Sequence, residues 1–142
     1  LEVTLMVATA GRIPRGELPA GVFHADWLPG LACAERAAAV VCNGGSPMVY
    51  QALSRGRPVV GLPVNHDQYY VMEALVRKGA GRLLRAGQVR PQPAREAVEA
   101  VLREPSYRIA AQALQAQIAA SNPAAAFLEI LQQSLAEKKG RP

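Results

Sequence analysis

"VCNGGSPMVYQALSRGRPVVGLPVNHDQ", residues 41–68, decides how the rest of this chain is read. The apolar run "AVVC" at 39–42 has no polar alternation, the pattern of a parallel strand covered on both faces. Gly44 and Gly45 end it. "SPMVYQALSRG" then reads as a helix, with Ser46 as N-cap, Pro47 as first helical residue and Gly56 as its stop. "PVVGLPV" repeats the buried-strand pattern. "DQYYVMEALVRKG" repeats the helix over residues 68–78, with Asp67 as its N-cap and Gly79 as its end.

Working outward, "LEVTLMVAT" at 1–9 has strand composition, and "GRIPRGELPAG" is a loop punctuated by proline and glycine. "VFHA" is a short strand, "DWLPG" turns away from it, and "LACAERAA" makes two turns of helix. "AGRLL" is a last strand. Beyond Arg90 the chain reads as three helices broken at Pro105 and Pro123, with Ser106 and Asn122 at start positions. Strands alternating with helices predict an α/β fold: a Rossmann-like parallel sheet with helices on both faces and a helical C-terminal tail. The expected organisation is a domain over residues 1–122 and a terminal helix over 123–142.

Bulk composition narrows the class. The chain has 142 residues, half of them hydrophobic and 19% charged, an ordinary globular mix. It has no apolar run near the ~18 residues that span a bilayer. Its start lacks the basic region of a signal peptide, and with no initiator Met the chain is expected to be a piece of a longer one. Sixteen Lys/Arg against eleven Asp/Glu give a net charge of +5, but the arginines are scattered and aromatics are few. That argues for a soluble basic surface and against a nucleic-acid partner. Cys33 and Cys42 are too few for a zinc site and do not form a disulfide scaffold, so both are expected to be reduced core residues of a cytoplasmic protein.

In a parallel α/β sheet, ligands bind at the carboxyl ends of the strands. Two loops carry suitable chemistry. In "CNGGSPM", Gly44 and Gly45 permit a sharp turn and close approach of a ligand, and the following helix start offers free N–H groups and the positive dipole end to a phosphate. Asn43 and Ser46 add side-chain hydrogen bonds. A tight turn that binds nothing has the same spacing, and no Lys follows the glycines as a Walker loop requires. In "PVNHDQ", Asp67 and Gln68 have the donors and acceptors that hydroxyl recognition needs, while an N-capping Asp67 accounts for the same residues without a ligand. His66 has no nucleophile beside it, and His24 reads as a strand-end or core residue.

Together, Asn43-Gly44-Gly45, Pro47-Met48, Gln51-Ala52, Gly56-Arg57-Pro58, Pro63 and Asp67-Gln68 resemble the C-terminal half of GT-B glycosyltransferases. The likeness is to the UDP-glycosyltransferase superfamily, including bacterial enzymes that glycosylate natural products, and it extends from "DWLPG" to the helices after "KGAGRLL". The resemblance implies a donor-binding domain, lacking its first strand, of an enzyme moving a sugar from a nucleotide diphosphate sugar to a small acceptor. It implies that Trp27 or its backbone forms the base platform. Gly44, Gly45 and the start of the helix at Ser46 and Pro47 would hold the diphosphate, and Asp67 and Gln68 the sugar hydroxyls. No metal or other cofactor is implied, since the helix dipole and donors stabilise the leaving diphosphate.

This sequence departs from the family at four of its matching positions. Asn43 stands where the family has a phosphate-binding His, and Met48 where it has a Ser/Thr. Gln51 replaces the ribose-binding Glu, and Gly30 replaces the Gln of Trp-x-Pro-Gln. Exchanging a charge-assisted phosphate bond for a neutral one costs about 1–2 kcal/mol, some tenfold in affinity. The site is therefore expected to be weakened or retuned. A non-catalytic binding or partner module with a degenerate phosphate site is the alternative. The family's acceptor site and catalytic base belong to an N-terminal domain absent here, so no residue of this chain is expected to be catalytic and the chain is expected to be inactive alone. If the tail returns to that domain, the apolar face with Phe127, Leu128, Ile130 and Leu131 is exposed here and favours self-association.

Overall fold

A computed structural model describes residues 2–12 and 18–139. Strand β1 (Leu5–Ala8) pairs with β2 (Val22–Ala25), and helix α1 (Gly30–Arg36) follows. Strand β3 (Val40–Cys42), helix α2 (Ser46–Leu53), strand β4 (Val59–Gly61), helix α3 (His66–Arg77) and strand β5 (Gly81–Leu83) come next. A short 3₁₀ turn (Ala86–Gln88) leads to α4 (Pro91–Arg103), α5 (Pro105–Ala120) and α6 (Pro123–Lys139). Every described strand pair is parallel, with Val40 opposite Val59 and Val59 opposite Gly81. The α/β architecture expected from the sequence is the one observed.

The core lies on both faces of β4, whose continuous valines are fully buried. Alternation along a strand sends Val59 and Val60 to opposite sides. Val59 packs with Val49, Ala52 and Leu53 of α2, Met72 and Leu75 of α3, and Ala111 of α5. Val60 packs with Leu84 and with Ala97 and Val101 of α4. Each buried aliphatic side chain of this kind contributes about 1.5–3 kcal/mol. Arg57 fastens α1 to this body, its Nε donating to the Ala34 carbonyl at 3.0 Å and Nη2 to the Glu35 carbonyl at 2.7 Å. Gly56 and Gly79 end α2 and α3 with φ of +63° and +72°, as the helix-stop reading requires.

Several boundaries differ from the sequence reading. The first strand is shorter than residues 1–9: Leu1 and residues 13–17 of the following loop lie outside the described residues, and Thr9 leaves the strand to donate through Oγ1 to Asp26 at 2.8 Å. Ser46 is not the N-cap of α2. Gly45 takes that position without a side-chain bond, which makes Ser46 the first helical residue and Pro47 the second. Asp67 is not the N-cap of α3 either. Asn65 is, its Oδ1 accepting the Gln68 N–H at 3.0 Å. Helix α4 begins at Pro91 and α5 at Pro105, one residue before Ser106, whereas Asn122 does cap α6 by accepting the Ala125 N–H at 3.1 Å. His24 stands exposed on β2, outside the core. The strands also form two sheets, β1-β2 and β3-β4-β5, where a continuous one was expected.

Candidate functional site

The carboxyl ends of β3 and β4 carry the two loops singled out in the sequence, and they meet. Gly44 has φ +81°, and a Cβ there would collide with the Met72 side chain and lie 3.4 Å from the Gln68 carbonyl oxygen. The first loop therefore rests directly on the first turn of α3. Met72 is fully buried and also presses on Gly61 of β4, so it props the loop from below. Gly44 is thus needed for its positive φ and for the space that Met72 fills.

The first loop spends part of its donor capacity on itself. The Gly44 N–H donates to Cys42 Sγ at 3.3 Å, and the Gly45 N–H donates to Asn43 Oδ1 at 3.0 Å. Burial pushes the Cys42 thiol up, with the Gly44 N–H partly offsetting it. The start of α2 carries no acidic residue in its first turn and no side-chain cap, so its positive dipole end is uncompensated. Ser46 and Pro47 are exposed there. Ser46 and Met48 supply backbone N–H groups, while Pro47 has none.

Met48 and Gln51 do not reach into open solvent. A Cβ on Gly30 would meet Gln51 Oε1, with Met48 Cε 3.1 Å away, so both side chains lie half-buried over Gly30 at the start of α1. Three of the four departures from the family pattern thus occupy one contact cluster. The absence of a side chain at position 30 provides the room that Gln51 fills. Trp27 stands 79% exposed three residues before this cluster.

The second loop divides its labour differently. Gln68 is buried, and its Oε1 accepts the Val64 N–H at 2.9 Å, closing the turn. Asn65 supplies the cap. Asp67 is left exposed in the first turn of α3, and His66 beside it is also exposed. A third group lies at the carboxyl end of β5. There Arg85 sits 5.6 Å over the Tyr69 ring, pairs with Glu73 at 3.3 Å, and is followed by Ala86, whose N–H donates to the Tyr69 hydroxyl at 3.4 Å. The sequence reading passed over Arg85 and Met72; position directly after a strand was the available signal for Arg85. Among the described residues no group of three or more His, Cys, Asp or Glu is placed to hold a metal, and no helix is long and apolar enough to cross a membrane. A recess lined by Val76, Gly79, Arg82 and Tyr107 opens at the amino end of β5, away from these loops.

Residues 1–135 match the family described as erythromycin biosynthesis protein CIII-like, C-terminal domain. The chain is 51% identical over 114 residues to a PGL/p-HBAD biosynthesis glycosyltransferase of Mycobacterium tuberculosis, covering 80% of this chain and 27% of that protein. It is 50% identical over 111 residues to a PGL/p-HBAD biosynthesis rhamnosyltransferase of Mycobacterium bovis, covering 78% of this chain and 25% of that one. Among solved structures, the calicheamicin glycosyltransferase superposes with a TM-score of 0.79 at 26% identity, over 96% of this chain and 36% of its own. The glycosyltransferase VinC, solved in complex with DTDP, superposes at 0.71 and 29% identity over 74% of this chain and 27% of its own. The chain spans about a quarter of the length of the curated relatives it matches. It belongs to the erythromycin biosynthesis protein CIII-like C-terminal domain family, the Rossmann-like C-terminal half of GT-B glycosyltransferases.

Proposed function

We propose that this chain is the part of a glycosyltransferase that binds a nucleotide diphosphate sugar, whose sugar passes to a small acceptor held by an N-terminal domain. One observation carries this reading: Gly44 lies against the Gln68 backbone, so an open helix start and an exposed carboxylate, Asp67, meet at the carboxyl ends of two neighbouring strands. The start of α2 suits the diphosphate, which needs N–H donors and positive potential. Asp67 suits sugar hydroxyls, with Gln68 holding its turn in place. Trp27 suits the base. The helix dipole takes the role a metal would have at the leaving diphosphate. The donor domain would span residues 1–122, with α6 as its terminal helix. The expected setting is the cytoplasm, and the exposed apolar residues of α6, Phe127 among them, offer a face for self-association or for the N-terminal domain.

Thermal melting with UDP, TDP and GDP tests this. A nucleotide at about 100 times its Kd adds roughly 2.7 kcal/mol, several degrees for a domain of this size. A saturable rise with one nucleotide supports the reading. No rise for this chain or for the full-length protein overturns it. The second reading, a glycosyltransferase-like module with a lost phosphate grip, is favoured by Met48, which has no hydroxyl and is engaged with Gly30. The double variant Asn43→His, Met48→Thr separates the two: a gain of about a hundredfold in nucleotide affinity identifies a degenerate site.

A further inference from the structure

A nucleoside diphosphate carries its pentose between base and diphosphate. With the base at Trp27 and the diphosphate at the start of α2, the pentose crosses the junction between the starts of α1 and α2. Gly30 opens α1 three residues after Trp27, and Met48 and Gln51 lie on one face of the first two turns of α2. The Gln51 amide and the Met48 methyl rest over Gly30 and form the floor of that junction.

Neither helix is free to shift at this point. Arg57 holds the far end of α1 through the Ala34 and Glu35 carbonyls, and α1 packs along α2. The Gln51 backbone lies inside α2, where its carbonyl accepts from Ser54 Oγ at 2.8 Å. The mobile part is the tip of the Gln51 side chain, which occupies the place where a Cβ on residue 30 would stand. That amide has no hydrogen-bond partner among the described residues, so packing on Gly30 sets where it points. It is half-buried and uncharged, with donors and an acceptor suited to a hydroxyl. Gly30, unlike Gly44, has no positive φ. What it provides is space and not backbone freedom.

We propose that Gly30 is a positioning residue for the pentose of the donor: its missing side chain seats the Gln51 amide at the α1–α2 junction, where the amide meets a pentose hydroxyl. The inference rests on the proposed function for the placement of the ligand. A neutral hydrogen bond to one hydroxyl gives only a three- to tenfold preference, roughly, so the junction accepts nucleotides with or without that hydroxyl.

Calorimetric titration of the full-length protein containing this chain tests the assignment, with UDP, 2′-deoxyUDP, 3′-deoxyUDP and inorganic pyrophosphate as probes. The native protein should bind UDP about three- to tenfold more tightly than one of the two deoxynucleotides. In Gly30→Ala the displaced amide abolishes that preference and leaves pyrophosphate affinity unchanged. Its Tm should fall by no more than about 3 °C, because a flexible side-chain tip yields and the helices do not. Added to Gln51→Ala, Gly30→Ala should leave UDP affinity unchanged, since no amide remains to be displaced. A preference that survives in Gly30→Ala overturns the inference, as does an equal loss of UDP affinity with and without Gln51. A parallel fall in pyrophosphate affinity, or a much larger drop in Tm, also overturns it, because the helices themselves would then have moved. If the native protein binds UDP with no preference among the three nucleotides, this inference falls and the proposed function stands. If it binds neither UDP nor pyrophosphate, the proposed function falls and takes the inference with it.

Discussion

The two strand-end loops occupy equivalent places in the fold, and both close backbone N–H groups on nearby side chains, yet they leave different groups for a ligand. After β3, the chain bends at Gly44, and the N–H groups of Gly44 and Gly45 donate to Cys42 Sγ and Asn43 Oδ1. After β4, the turn needs no glycine. Asn65 caps the helix, Gln68 ties Val64, and the acidic residue between them stays free. The loop that bends at glycine offers a helix dipole to a ligand. The loop after β4 offers a charge. The first depends on what lies beneath it, Met72, and the second on its own local bonds.

Substitutions that break this comparison should differ in size accordingly. Gly44→Ala forces a non-glycine residue to φ +81° and drives a methyl into Met72, so it should cost about 3–4 kcal/mol and lower Tm by roughly 10 °C. Met72→Ala removes the prop and leaves a cavity below both loops. A loss of about 3 kcal/mol is expected in chemical denaturation, with nucleotide affinity falling as well. Asn65→Ala removes a cap at the second loop only and should cost about 1 kcal/mol. Asp67→Asn should leave stability within about 0.5 kcal/mol while weakening nucleotide-sugar binding some tenfold, with binding of the nucleotide diphosphate alone unchanged. A similar loss in diphosphate binding would show that the carboxylate acts on the first loop and not on sugar.

The smallest effect is a pH dependence confined to the first loop. Burial raises the Cys42 pKa, so the folded state holds the thiol proton more tightly than the unfolded chain. The associated stability is complete below the ordinary thiol range and is lost as pH rises through the raised value. Denaturant midpoints followed into alkaline pH should show this slope in the native chain and its absence in Cys42→Ser.

Much of this was legible in the sequence, and the exceptions have local causes. Unalternated valines marked β3 and β4 as parallel strands, and Gly56 and Gly79 marked two helix ends; the coverage on both faces expected of both strands holds for β4 alone, because Val41 of β3 is 51% exposed. The capping residues were not decided by composition. Asn65 and Asp67 are both good N-caps, and the choice fell to Asn65 because the same turn lets Gln68 bond to Val64. Ser46 lost its cap position because Gly45, already extended at φ −64° and ψ 141°, begins the helix one residue earlier. The family-pattern departures at Met48, Gln51 and Gly30 look like separate losses along the chain. Their contact joins them, because the missing side chain at Gly30 leaves room for both Gln51 and Met48 to lie over it.

The sequence by itself determined the α/β class, the parallel strands and the two loops at the ends of β3 and β4, because hydrophobic period and glycine or proline placement are local properties. It did not determine what the glycines serve, which residue caps α3, or that the strands would divide into two sheets. Those depend on contacts between residues far apart in the chain. Met72 lies beneath Gly44, Gln51 lies over Gly30, and no ladder joins β1 to β3 among the described residues.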